Sequence, residues 1–185
     1  MASGTVSSIA PLADGSRRLF EYNGIFYFGG EGGSNGRELW SFDPATGMAQ
    51  EIADINPGSG DTYINDMVEL NGRLYFSAND AQFGNNGPYG AEPWYYDPAT
   101  GMAAILQDLE PGNHPWGAAK SSYPTDMVVF NGKLYFGASA TDGVGSELRR
   151  YDPVTDTIEL VEDIRPGVNG ASPGQFIIYS GKLYF

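Results

Sequence analysis

Four times along the chain a two-residue turn opens the same short strand. Asn23-Gly24 precedes IFYFGG, Asn71-Gly72 precedes RLYFSA, Asn131-Gly132 precedes KLYFGA, and Ser180-Gly181 precedes KLYF. A type I′ hairpin turn needs positive φ at both central residues, and Asn followed by Gly supplies this at least steric cost. Downstream, Glu38-Leu39-Trp40, Glu92-Pro93-Trp94 and Glu147-Leu148-Arg149 recur, each leading to an Asp-Pro turn at Asp43, Asp97 or Asp152. The first two of these turns end in Gly47 and Gly101, and the third places Asp156 there. Asp accepts the turn's hydrogen bonds, Pro presets φ, and the last position suits a residue that tolerates the left-handed region. Each unit closes on Asp, an apolar residue, a variable one and Pro-Gly, starting from Asp54, Asp108 and Asp163.

The copy from Thr125 to Gly167 holds four apolar runs, Met127–Phe130, Leu134–Gly137, Leu148–Tyr151 and Ile158–Val161. Two tight turns and one longer middle loop join them, so one copy reads as a four-stranded antiparallel meander, with strands A to D in order. The hairpin turns are spaced 48, 60 and 49 residues apart, by subtraction of their positions (23, 71, 131, 180). Four strands at a period in the 40s is the pattern of a β-propeller blade, and the middle interval carries an insertion of about a dozen residues. The expected fold is all-β: a β-propeller of four-stranded antiparallel blades, about 3.75 of them, in a single unit spanning 1–185. The repeats fall at about 5–28 (partial), 38–76, 92–136 and 147–185. Thr5–Ile9 reads as a leading D strand, Arg18–Tyr22 as an A strand, and Leu183–Phe185 as part of a last B strand, fifteen strands in all.

Charge narrows the partners. With 10 Lys and Arg against 23 Asp and Glu, the net charge is −13, which disfavours nucleic acid because phosphate binding needs clustered cations. No run reaches the ~18 apolar residues that would insert into a membrane. Residues 1–12 lack a positive n-region and an apolar h-region, so no signal peptide is expected there. Zero Cys excludes thiol catalysis and thiolate metal sites, and a single His, His114, excludes a two-histidine metal centre within one chain. His114 also sits in a Pro-Gly-rich loop without a nucleophile elbow, and the carboxylates follow the repeat instead of clustering in one copy. The expectation is therefore a chain that is not an enzyme, with a propeller glycosidase or lyase as a third reading. An acidic surface suits Ca²⁺, a hard cation taking oxygen ligands, as a possible cofactor.

The boxes NGKLYF, ELW, YDP and DI-x-PG together resemble the bacterial secreted repeats named for a Glu-Leu-Trp box followed by an Asp-Gly-Thr turn. They are also similar to the kelch blade, in which a strand of the form nGkiYviGG precedes a YDp hairpin. This chain has Asp-Pro-Ala-Thr-Gly in place of Asp-Gly-Thr and lacks the blade-end Trp of kelch. The resemblance covers almost the whole sequence. It implies a propeller fold and an extracellular or cell-surface location, and leaves the ligand open.

In such a meander the short A–B and C–D turns share one face, and the B–C and D–A connections share the other. The second set is longer and more variable, and irregular loops on a rigid scaffold are where binding concentrates. The extra length lies in the middle copy, in residues 81–90 and 112–117, on loops expected to meet. Phe83, Tyr89, Asn113, His114, Trp116 and Tyr123 are the expected ligand-binding residues, with Asn85 and Asn86 beside them. Aromatic rings stack on apolar sugar faces and amides serve hydroxyls, so the expected ligand is a glycan or extracellular polymer, or a protein, bound by an adhesion module. The alternative for Phe83 and Trp116 is local packing between blades. A second functional reading is a structural one, in which copies self-associate to complete a ring.

Among the carboxylates, Asp80 and Asp142 are the candidate Ca²⁺ ligands, although neither lies in an EF-hand pattern. Asp66 and Asp126, just before strand A, are secondary ligand or metal candidates at the mouth of the central channel. Glu38, Glu92 and Glu147 are expected to bridge blades, and Asp54, Asp108 and Asp163 to accept N–H groups of the turns that follow them.

Overall fold

The computed structural model of the chain describes residue 9 and residues 18–32, 34–81 and 87–185. These form an all-β structure of fourteen strands. Three four-stranded antiparallel sheets and one two-stranded sheet follow one another, each a meander in chain order. The first holds β1 (Phe20–Tyr22), β2 (Ile25–Glu31), β3 (Arg37–Asp43) and β4 (Met48–Ala53). The second holds β5 (Asn65–Leu70), β6 (Arg73–Asn79), β7 (Ala91–Asp97) and β8 (Met102–Ile105). The third holds β9 (Thr125–Phe130), β10 (Lys133–Ala138), β11 (Glu147–Asp152) and β12 (Thr157–Glu162), and the last pairs β13 (Ile177–Tyr179) with β14 (Lys182–Tyr184). The expected leading D strand lies mostly outside the described residues, and Ile9 itself is in no strand.

Turn chemistry sets the register. Asn23, Asn71, Asn131 and Ser180 have φ of 52°, 54°, 50° and 48°, and the glycines after them are also positive. Each turn therefore closes a pair such as Leu70↔Arg73 or Phe130↔Lys133. The Asp-Pro turns behave as their sequence requires. Asp43 accepts the Ala45 N–H at 2.8 Å, and Gly47, Gly101 and Asp156 all sit at positive φ.

Successive sheets pack through their faces, with their first strands side by side: β1 beside β5, and β5 beside β9. Between the first two sheets lie Tyr27, Leu39, Leu74, Phe76, Trp94 and Tyr96. Between the second and third lie Leu70, Tyr75, Met127, Leu134, Phe136 and Tyr151. This is propeller-like packing: the second sheet buries one face against the first sheet and the other against the third.

The D–A crossovers, which carry the chain from sheet to sheet, are held by one residue per copy. Glu38 and Glu92 are the second residues of β3 and β7, Glu147 opens β11, and each is fully buried. Glu38 accepts the Ile55 N–H at 2.6 Å and the Thr62 hydroxyl at 3.0 Å. Glu92 accepts Leu109 N–H at 3.1 Å, Ser122 N–H at 2.8 Å and the Ser122 hydroxyl at 2.6 Å. Glu147 accepts the N–H groups of Ile164, Arg165 and Ala171. Each carboxylate thus clamps both ends of a crossover, which is how these residues bridge the sheets. The far partner is 24 residues on in the first and third copies and 30 in the second, so six inserted residues belong to the second crossover. The glycine ahead of the Glu lets the crossover lie close: a Cβ on Gly90, at φ 72°, would stand 2.2 Å from the Lys120 carbonyl oxygen.

Burial pushes the Glu38 and Glu92 carboxyls up to about 7 against the pull of their donated hydrogen bonds. Between their ordinary 4.5 and about 7 the folded chain therefore holds protons that the unfolded chain does not. This stability is complete below about 4.5 and is lost as pH rises through about 7. The melting temperature should fall between pH 5 and pH 8, and the fall should be shallower in Glu92→Gln. That variant should also lose about 1–3 kcal/mol at pH 7, because an amide cannot accept from every donor facing it. Thermal melts of both proteins across the pH range test both points.

Candidate functional site

The inserted residues of the second crossover fold into a narrow ribbon. Asn113 bridges Ala119, the His114 N–H donates to Ala118 O at 2.8 Å, and Lys120 N–H donates to Gly112 O at 2.9 Å. Gly117 N–H returns to His114 O at 2.9 Å, and the Asn113 amide donates to Gly117 O at 3.0 Å. At the tip the His114 and Trp116 rings lie parallel, 4.3 Å apart and tilted by only 6°. Trp116 is 75% exposed, so it is not the local core that the packing alternative describes. It is a flat apolar surface backed by an imidazole and fixed on a hydrogen-bonded ribbon.

The other expected ligand residues divide. Tyr123 is largely exposed at φ 49°, anchored by its N–H donating to Ala91 O at 3.1 Å. Tyr89 is half-buried, edge-on to Trp94 at 6.4 Å, and packs against the core between the first two sheets. It serves packing, because the loop turns back at Gly90 and folds the ring under. Phe83, Asn85 and Asn86 lie outside the described residues. The two loops do meet at their roots, where Ala91 N–H donates to the Ser121 hydroxyl at 2.9 Å.

The candidate Ca²⁺ ligands are occupied by protein groups and are not brought together. Asp80 is buried and accepts the Gly90 and Tyr89 N–H groups at 2.8 and 3.2 Å, closing the B–C loop. Burial raises its pKa despite these donors. Asp142 pairs with Arg149 at 2.8 Å in the third copy. Among the described residues no three His, Cys, Asp or Glu side chains cluster as metal ligands. Of the turn carboxylates, Asp108 accepts the Glu110 N–H as expected.

Asp66 and Asp126, by contrast, are brought together. The Asp126 N–H donates to the Asp66 carboxylate at 2.9 Å, and Arg18 lies 3.6 Å from the other Asp66 oxygen. They line a cavity of about 620 Å³ where β1, β5 and β9 converge. Each sits in a bulge: the pairing shifts between Asn65 and Val68 in β5, and opposite Tyr135 to Gly137 in β9. Both aspartates have positive φ, 56° and 55°. The sequence reading missed two members of this set. Counting five residues back from the four hairpin turns gives Arg18, Asp66, Asp126 and Gln175, and Gln175 has φ 57°. The turn spacing would have revealed them. The side chains differ too much to be seen as a repeat box.

No family model matches the chain, and no curated protein does. Among solved structures it is similar to a puromycin hydrolase mutant crystallised in complex with PGG, at 15% identity and a TM-score of 0.48. The match covers 87% of this chain and 23% of that one, so the chain spans about a quarter of that structure's length. The expectation that the chain is not an enzyme does not stand, because a fold of this kind gives no ground for excluding catalysis.

Asp80→Ala should cost about 1–3 kcal/mol by leaving the Gly90 and Tyr89 N–H groups without their acceptor. Denaturant unfolding of the variant, with limited proteolysis of the 81–90 loop, tests whether this carboxylate serves the loop.

Proposed function

We propose that the chain is part of a β-propeller of the Glu-Leu-Trp-box or kelch-like kind, acting at the cell surface or outside the cell as a binding or adhesion module. Its ligand is a glycan or glycan-like extracellular polymer, taken on the face formed by the B–C and D–A connections. The observation that carries this reading is the Trp116–His114 stack: an exposed indole lying parallel on a half-buried imidazole, on a ribbon seen only in the copy with the insertion among the described residues. An indole face held open on a fixed ribbon is a matched partner for a sugar's C–H face. Tyr123 and the Asn113 loop supply further contact beside it.

Replacing Trp116 by Ala should abolish retention on immobilised polysaccharide while shifting the melting temperature by no more than about 1–2 °C, as surface substitutions do. Unchanged retention, or a large loss of stability, would overturn the platform.

A second reading is favoured by the last sheet. Ile177, Tyr179 and Tyr184 on one side of β13 and β14, and Ile178 on the other, are about half or more exposed, apolar surface that further β structure would cover. Self-association of copies would provide it. Light scattering behind a sizing column should then show a defined dimer or higher ring that Ile178→Lys dissociates; a monomer at all concentrations would sink this reading.

A further inference from the structure

The cavity where the first strands converge has features that the scaffold does not require. A hole between twisted sheets packed side by side is expected from geometry alone. Positive φ at its rim in three successive copies, occupied by Asp66, Asp126 and Gln175, is not. Gly holds such a backbone without strain and Asp tolerates it, but Gln is poorly suited to the left-handed region. Bulges re-aim side chains, and those at Asp66 and Asp126, with the positive φ of Gln175 in the next copy, set one polar group per copy on the cavity lip. The positive φ is common to all three while the side chain changes. This is the opposite of the clamping Glu, whose identity never varies.

The chemistry of the lining decides the ligand class. Asp66 and Asp126 share the lining with Arg18 and Arg37, so the formal charges of the cavity cancel. An isolated ion would gain little from such a lining. Asp66 is engaged by Arg18 and by the Asp126 N–H, whereas Asp126 and Gln175 both reach solvent at the lip. Planar groups that mix donors and acceptors, a carboxylate, the Asn65 and Gln175 amides and a guanidinium, match adjacent hydroxyls. Below them the wall turns apolar, with Phe28, Met67, Met127 and Phe176. At about 620 Å³ the cavity lies within the usual range for a small-molecule site.

We infer that this cavity is a second binding site, one that takes a neutral saccharide unit of one or two rings, held at its lip by Asp126 and Gln175. The ligand class rests on the glycan reading above, but the site does not depend on the Trp116 platform.

The test is calorimetric titration with maltose, cellobiose, lactose and diacetylchitobiose, with glucosamine and glucuronate as charged comparators. At least one neutral disaccharide should bind with a Kd of about 1 mM or tighter, and the charged sugars should bind more weakly. Asp126→Gly and Gln175→Gly each remove a side chain at a position where Gly is unstrained, so both should fold with nearly unchanged melting temperature. Each should weaken that binding at least about fivefold, while Trp116→Ala leaves it unchanged. No binding of any neutral disaccharide at about 10 mM, tighter binding of a charged comparator, or indifference to both glycine variants overturns the proposal. Loss of disaccharide binding in Trp116→Ala also overturns it, by moving the sugar to the platform. Polysaccharide retention by the unmodified protein separates the readings: retained polymer without disaccharide binding sinks the cavity alone, and loss of both sinks the glycan reading itself.

Discussion

The structure depends on three carboxylates buried where a carboxylate is costly. A crossover between sheets has backbone N–H groups at both ends and no ladder to receive them, and burying such groups unpaired is unfavourable by more than a typical hydrogen bond gains. Glu38, Glu92 and Glu147 solve this from one point each, accepting at the exit of the fourth strand and again where the chain approaches the next sheet. A neutral side chain of the same length would offer fewer acceptors. The cost of desolvation shows in the raised pKa of Glu38 and Glu92, and the gain is a fixed path between sheets. Everything on the crossovers, the Trp116 ribbon included, inherits its position from that clamp.

Much of this was legible in the sequence because turn chemistry is local. Asn131-Gly132 and Asp152–Asp156 state their backbone angles almost residue by residue, and the strands between them follow within one or two residues of the apolar runs. The clamping role of Glu92 was legible only as a repeat-wide acid near a strand start. Its partners are 17 and 30 residues away, and no local pattern names them. The packing of Tyr89 is hidden for the same reason: the turn at Gly90, held by Asp80, folds its ring against Trp94, and no local pattern announces that contact. Asp80 looked like a metal ligand because a loop aspartate near glycines has the right chemistry; the nearby N–H groups had already claimed it.

The cavity lip was hidden by a different cause. A bulge adds one residue to a strand without disturbing the spacing from the turn, so the sequence reads as ordinary strand up to Asp66 and Asp126. Gln175 and Arg18 share the position without sharing a residue type. Repeat analysis finds what copies have in common, and so it selects for scaffold.

That contrast also explains where function can reside in a chain of this kind. A position that is identical in every copy answers a demand every copy shares, which is folding; Glu38, Glu92 and Glu147 are of this type. A feature present in one copy only, such as the 112–120 ribbon, answers no demand of the fold, since the neighbouring sheets close their crossovers without it. The lip positions form a third class, with a common backbone strain and side chains free to differ. Backbone conformation does not account for the difference between Asp126 and Gln175, because both share a positive φ at the same distance from the turn. Strain of about 1 kcal/mol or more at each such residue has to be outweighed by something the side chains do together at the point where they meet. In this molecule that point is the cavity.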